Sequence, residues 1–382
     1  MYISTPGFGV ASVHRAGSVR ERCKQAAFQR HLSNNHTICL HRHLFARGLV
    51  VIRYTIKNIF FAALTMAMLN TAYAADAPST TQAHIEGPLL PSGADPWVTQ
   101  RNGVYYYTST ERDRISLRKT TDMARLADAQ PVVVWRAPAS GPNSTSIWAP
   151  ELHYLDGKWY LYYSAADKAH DDDAHRHVFV LENASPDPTQ GKWLDKGMLK
   201  THLNGIDGTV FDHAGKRYFV YSAYVGDHSD LVIAPMPTPW ALGEPQVDIA
   251  HPTYAWEMQG GRKIMEAPEF LQGPHGTVFL TYSASACWSD GYSLGLLQAD
   301  AHADLLNPIA WHKLPEPVLA SSAKLGFYAP GHNGFFKTAD GQDWIIFHAN
   351  GGPGWKCTPR RAPYIKPFRW DAQGRPVFMD GA

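Results

Sequence analysis

Gly157-Lys-Trp-Tyr-Leu-Tyr-Tyr-Ser-Ala165 and Gly215-Lys-Arg-Tyr-Phe-Val-Tyr-Ser-Ala223 are two copies of one phrase, a glycine that turns the chain followed by an aromatic strand. The phrase returns as Gly103-Val-Tyr-Tyr-Tyr-Thr-Ser109, Gly276-Thr-Val-Phe-Leu-Thr-Tyr-Ser-Ala284 and Gly341-Gln-Asp-Trp-Ile-Ile-Phe-His-Ala349. Three residues after each glycine the position is aromatic: Tyr106, Tyr160, Tyr218, Phe279 and Trp344. A recurrence of roughly 55 to 65 residues, each unit a few short strands, marks a propeller, because no such unit buries both of its faces alone. The expected fold is therefore all-β, a single-domain five-bladed β-propeller over residues 91–382. The segments 178–181, 231–234 and 292–297 read as third strands of blades two, three and four, and no stretch keeps a helical period.

Outside the repeats the chain changes character. Residues 1–74 hold nine Lys/Arg against one acid, Glu21, which leaves 26 basic and 33 acidic residues and a net charge of −7 for the remainder. A mildly acidic body speaks against nucleic acid or an anionic membrane as partner. Arg53 and Lys57 precede the apolar run Ile59–Leu69, and Ala72-Tyr73-Ala74 follows it, the pattern of an export signal rather than a membrane span. The sequence thus divides into an upstream leader from a misassigned start (1–51), a signal peptide (52–74), a polar linker (75–90) and the propeller. The processed protein is expected to be a secreted or periplasmic monomer, free of the membrane. Of the four cysteines only Cys287 and Cys357 survive processing, and the sequence leaves their pairing open.

Upstream of the five turns stand Ala94-Asp95-Pro96-Trp97, Trp148-Ala149-Pro150-Glu151, Gly205-Ile206-Asp207-Gly208, Met265-Glu266-Ala267-Pro268 and Gly331-His332-Asn333. Equivalent positions of radial blades converge on one axis, so Asp95, Asp207 and Glu266 should meet there. Hydrolysis of a sugar acetal needs a carboxylic acid to protonate the leaving oxygen and a second carboxylate on the opposite face. A third negative charge nearby keeps the donor protonated near neutral pH. Glu269 competes for the donor's place, but regular strand alternation would turn it to the face opposite Glu266. Glu151 reads as structural, and 171–177, Asp-Asp-Asp-Ala-His-Arg-His, as a solvated loop.

These five ordered motifs resemble glycoside hydrolase family 43 across the region after the signal. The resemblance implies an inverting mechanism with Asp95 as general base, Glu266 as general acid and Asp207 as the carboxylate that tunes the acid. It implies no organic cofactor, and a Ca²⁺ on the axis near His332 as metal residue; a His that holds a carboxylate is an equal reading of the same position. Trp97, Trp148 and Trp288 are candidates to stack on or wall the sugar, with His332 and Arg361 as further contacts. The substrate implied is a plant cell-wall oligosaccharide bearing terminal α-L-arabinofuranose, from arabinan or arabinoxylan. Three alternatives stay open: a β-xylosidase, an endo-arabinanase, and a sugar-binding propeller without catalysis.

Overall fold

The structure, a computed structural model, describes residues 87–379. The expected leader and signal peptide lie outside the described residues. Blade one comprises β1 (Trp97–Arg101), β2 (Val104–Thr108), β3 (Arg114–Thr120) and β4 (Val132–Arg136), each antiparallel to the next. Blade two repeats the meander with β5 (Thr145–Leu155), β6 (Lys158–Ala166), β7 (Arg176–Asn183) and β8 (Leu194–Met198). Blade three has β9 (Gly205–His213), β10 (Lys216–Val225), β11 (His228–Pro235) and β12 (Val247–Ala250), and blade four β13 (Met265–Gln272), β14 (Val278–Ala284), β15 (Ser293–Ala299) and β16 (His312–Lys313). Blade five has three strands, β17 (Tyr328–Lys337), β18 (Asp343–Asn350) and β19 (Ala362–Pro367), followed by the small hairpin of β20 (Arg369–Trp370) and β21 (Pro376–Val377). The third strands expected of blades two to four are β7, β11 and β15.

Each repeated glycine sits in the turn between the first and second strands with φ between 74° and 84°, a backbone region that costs glycine nothing. The aromatic three residues later has one job in all five blades. Tyr106, Tyr160, Tyr218, Phe279 and Trp344 each join a different apolar cluster, and each cluster lies between two neighbouring blades. The periodicity is thus the periodicity of interblade packing. The cluster between blades five and one also contains Leu89 and Leu90, and the Leu89 N–H donates to Pro363 O at 2.8 Å. This corrects the expected linker, which ends before residue 89 because those two leucines help close the ring.

A second ring lies nearer the axis. A left-handed residue lies in the first strand of blades two to five, or just before it in blade one: Asp95, Ala149, Asp207, Ala267 and His332, with φ between 45° and 55°. In blades two to five a register shift accompanies it. Such a bulge re-aims the side chains beside it and leaves one N–H outside the ladder. The neighbouring blade receives that N–H. Ala149 donates to Thr110 Oγ1 (2.8 Å), Asp207 to Ser164 Oγ (2.9 Å), His332 to Ser283 Oγ (2.7 Å) and Asp95 to His348 Nδ1 (3.1 Å). All four acceptors stand seven residues after a repeat glycine. Ser222, the fifth such residue, instead donates to Met265 O at 2.7 Å, and the Ala267 N–H goes to Asp207 Oδ2 at 3.1 Å.

Candidate active site

The left-handed turn at Asp95 and the bulges in blades three and four place Asp95, Asp207 and Glu266 on one cavity of about 410 Å³ at the face where the first strands begin. That volume falls within the range of about 300–1,000 Å³ usual for small-molecule sites. Trp148, Trp288, His332 and Arg361 line the same cavity, with Thr110, Arg112 and the Cys287–Cys357 disulfide. Trp97 does not. Its indole N–H donates to Leu152 O at 2.9 Å and its ring lies 4.9 Å from that of His153, so the expected sugar contact is in fact a wedge between blades one and two.

Asp95 is held as an anion. Burial alone would raise its pKa, but the Arg361 guanidinium 3.3 Å from Oδ1, then His332, reverse this and hold it well below the ordinary carboxylate value. Thr110 donates to Oδ2 at 2.6 Å. His348 is kept neutral, its pKa brought down to about 4 by burial and then by Arg361, so its Nδ1 can accept the Asp95 N–H. Asp95 therefore has the charge, and the fixed carboxylate, that a base acting on water requires.

Glu266 has the opposite bias. Burial pushes its carboxyl up to about 7, Asp95 adds to this, and a hydrogen bond from Tyr292 (2.7 Å to Oε1) works against it. Asp207 is also pushed well up, by burial first, then by Glu266 and Asp95. The two carboxyls titrate as a pair that keeps a proton close to neutral pH, which is the condition for an acid catalyst. One carboxyl held ionised and a pair held partly protonated is the separation that acid–base work on a glycoside calls for.

The alternation argument against Glu269 fails for a physical reason: β13 is not regular. With the register shifted between Glu266 and Glu269 and Ala267 in the left-handed region, both side chains reach the axial interior. Glu269 is buried with its Oε1 unpaired, and its pKa is driven well up by burial and then by Glu151. It does not line the cavity. Glu151 accepts or shares a hydrogen with His153 Nε2 at 2.8 Å, deeper in the channel.

A stability test follows from Glu269. A carboxyl whose folded pKa exceeds its unfolded one binds more protons folded than unfolded, so its contribution to stability falls as pH rises above the ordinary carboxylate range. Glu269→Gln keeps the shape and removes the charge. Its Tm should exceed that of the wild type at pH 8, and the gap should close toward pH 5 in calorimetry. A variant less stable than wild type at pH 8 would contradict a Glu269 carboxyl whose charged form burial and Glu151 disfavour.

Several working residues escape sequence reasoning. Arg176, buried, stacks its guanidinium 3.9 Å from the Trp148 ring and is held by Asp171 (2.6 Å) and Asp173 (3.0 Å), so the expected solvated loop is partly a brace for a cavity wall. Thr110 and His348 were visible as the seventh residue after a repeat glycine, a position whose use only the structure reveals. Tyr292 carries no sequence signal.

Residues 86–376 match the family described as Glycosyl hydrolases family 43. The chain belongs to that family. Among curated relatives, an "Extracellular exo-alpha-(1->5)-L-arabinofuranosidase" of Streptomyces avermitilis is 37% identical over 332 residues, covering 83% of this chain and 68% of the relative. A protein of the same name from Streptomyces chartreusis is 38% identical over 78% of this chain and 90% of its own. Among solved structures, an α-L-arabinofuranosidase from Lactobacillus brevis superposes with a TM-score of 0.73 at 33% identity, covering 78% of this chain and 97% of that one. Family membership makes the chain a glycoside hydrolase with a five-bladed propeller.

Proposed function

We propose that this hydrolase releases terminal α-L-arabinofuranose, with inversion, from arabinan or arabinoxylan oligosaccharides outside the cytoplasm. The observation that carries the reaction class is the opposed bias of Asp95 and the Asp207/Glu266 pair around one cavity. The sugar and linkage rest on the names of the Streptomyces relatives and the Lactobacillus brevis structure; the extracellular names also fit export by the expected signal.

In the reaction Glu266 gives its proton to the glycosidic oxygen as the C1–O bond breaks. Asp95 takes a proton from a water that attacks C1 from the opposite face, so the products are free arabinose of inverted anomeric configuration and a new hydroxyl on the leaving sugar. Asp207, anchored by the Ala267 N–H, shares the pair's proton with Glu266 and so helps the acid regain its proton between turnovers. Arg361 keeps Asp95 in its ionised form.

Calcium fits this donor set poorly. The ion takes six to eight oxygen ligands, whereas among the described residues no group of three His, Cys, Asp or Glu side chains has the arrangement to hold a metal ion, and His332 Nδ1 faces Asp95 Oδ1 at 3.4 Å. We read His332 as a partner of Asp95 and route no step through a metal.

The test is a panel of aryl α-L-arabinofuranosides, aryl β-xylosides and linear arabinan, with proton NMR of the first sugar released. Arabinoside cleavage with the inverted anomer appearing first is the expected result. Preference for the xyloside would replace the substrate reading, and early retention of configuration would contradict the roles of the two acids.

A further inference from the structure

The connections between second and third strands flank the cavity, and they differ in kind around the ring. In blade three Val225 pairs directly with His228, a tight hairpin. In blades four and five the connections are long, spanning 285–292 and 351–361, and the Cys287–Cys357 disulfide joins them with their Cα atoms 5.3 Å apart. Beside the bridge both carboxylate oxygens of Asp290 accept the Gly354 N–H at 2.9 Å. The joined loops continue into neighbours on both sides. The Trp288 indole donates to Gly260 O at 2.8 Å, and at the other end Ser92 Oγ donates to Pro359 O at 2.5 Å while the Gly93 N–H donates to Arg361 O at 2.9 Å.

These bonds make an unbroken strap from the segment before β13, across blades four and five, to the segment before β1. Its inner side is cavity wall: Cys287, Trp288, Cys357, Thr358, Pro359 and Arg361 all face the sugar site. A polysaccharide that lay across the site in both directions would have to pass through this strap; a chain end need not. We propose that the strap closed by the Cys287–Cys357 bridge is the end wall of the pocket, stopping the substrate one sugar beyond the cleaved bond and so confining cleavage to chain ends. The inference rests on the arabinofuranosidase reading and extends it to the residues that set where along a chain the enzyme cuts.

The experiment compares wild type, the double variant Cys287→Ser/Cys357→Ser, and Asp290→Ala, which loosens the strap without touching the bridge. Each is given linear α-1,5-arabinan, with products separated by size at early times, and nitrophenyl α-L-arabinofuranoside for kinetics. Wild type should release arabinose alone. The double variant should also produce arabino-oligosaccharides, and its KM for the aryl substrate should rise about tenfold, the low end of what one lost pocket contact costs. A change in KM with kcat little affected is the mark of lost ground-state binding, which a purely structural role would not produce. Asp290→Ala should move the same way by less.

Should the serine variant not fold, wild type reduced to two titratable thiols and then reoxidised gives the same comparison reversibly. Arabinose as sole product from every form, with KM unchanged and only Tm lowered, overturns the proposal. Wild type that releases no arabinose from either substrate overturns the activity reading instead, and the inference falls with it.

Discussion

Glu266→Ala should lose on the order of 10²–10⁴-fold in kcat on an arabinan oligosaccharide while losing far less on nitrophenyl α-L-arabinofuranoside. The asymmetry follows from the leaving group. A sugar alkoxide is too basic to depart without a proton, so removing the donor removes the step; a nitrophenolate departs unaided and needs little from Glu266. Two further signs belong to the same cause. The basic limb of the pH profile on the natural linkage, which reports loss of the acid's proton from a carboxyl pushed up to about 7, should disappear from the residual aryl activity of the variant. Glu269→Ala should show neither effect, because Glu269 lies below the cavity against Glu151 and does not line it. Initial rates on both substrates across pH 4–9 check all of this. Leaving-group dependence in Glu269→Ala and its absence in Glu266→Ala would transfer the acid's role to the deeper carboxyl.

How legible was this site in the sequence? The fold was written in the glycine-plus-three aromatics, because one aromatic per blade must fill each interblade gap and the requirement recurs with every blade. The cavity carboxylates were legible for the same reason: radial symmetry carries the openings of the repeats to one place. What alternation could not supply was aim. A strand with a left-handed residue is not a period-2 object, and the bulge in β13 lets Glu266 and Glu269 both reach the interior where the regular pattern would separate them. Trp97 misled for a related reason. It follows Asp95 by two positions, but the chain turns at Asp95, and the indole is carried across to Leu152 in blade two. Residues brought in by loops left no periodic trace at all. Arg361 reaches Asp95 from a connection whose course no repeat dictates, and Arg176 reaches Trp148 from the first position of β7, where such a connection ends. Length and composition of a loop say that it is on the surface, not where its side chains end.

Asp95→Ala should cost about as much as any single change in this protein, again on the order of 10²–10⁴-fold, but without regard to leaving group. The base acts on water, and every substrate needs the water. The structure gives reasons to expect the loss to be chemical rather than a collapse of the site. The Asp95 N–H remains to bond His348 Nδ1, Pro96 still follows, and the ring of interblade bonds keeps its fifth member. What goes is the carboxylate that Arg361, Thr110 and His332 converge on, leaving a small space beside a hydroxyl donor and a guanidinium. Such a space suits a small anion. Azide added to Asp95→Ala should therefore raise the rate on the nitrophenyl arabinoside: its nitrogen forms the new bond to C1 from the face where water would have attacked, the C1–oxygen bond breaks, and the electron pair leaves with the nitrophenolate. The product, a glycosyl azide, should carry the anomeric configuration opposite to that of the substrate, which NMR reads directly. The same anion should do nothing for Glu266→Ala, whose base is intact and whose occupied face excludes it. An azide product of retained configuration would place the nucleophile's approach on the other side and with it exchange the roles of Asp95 and Glu266.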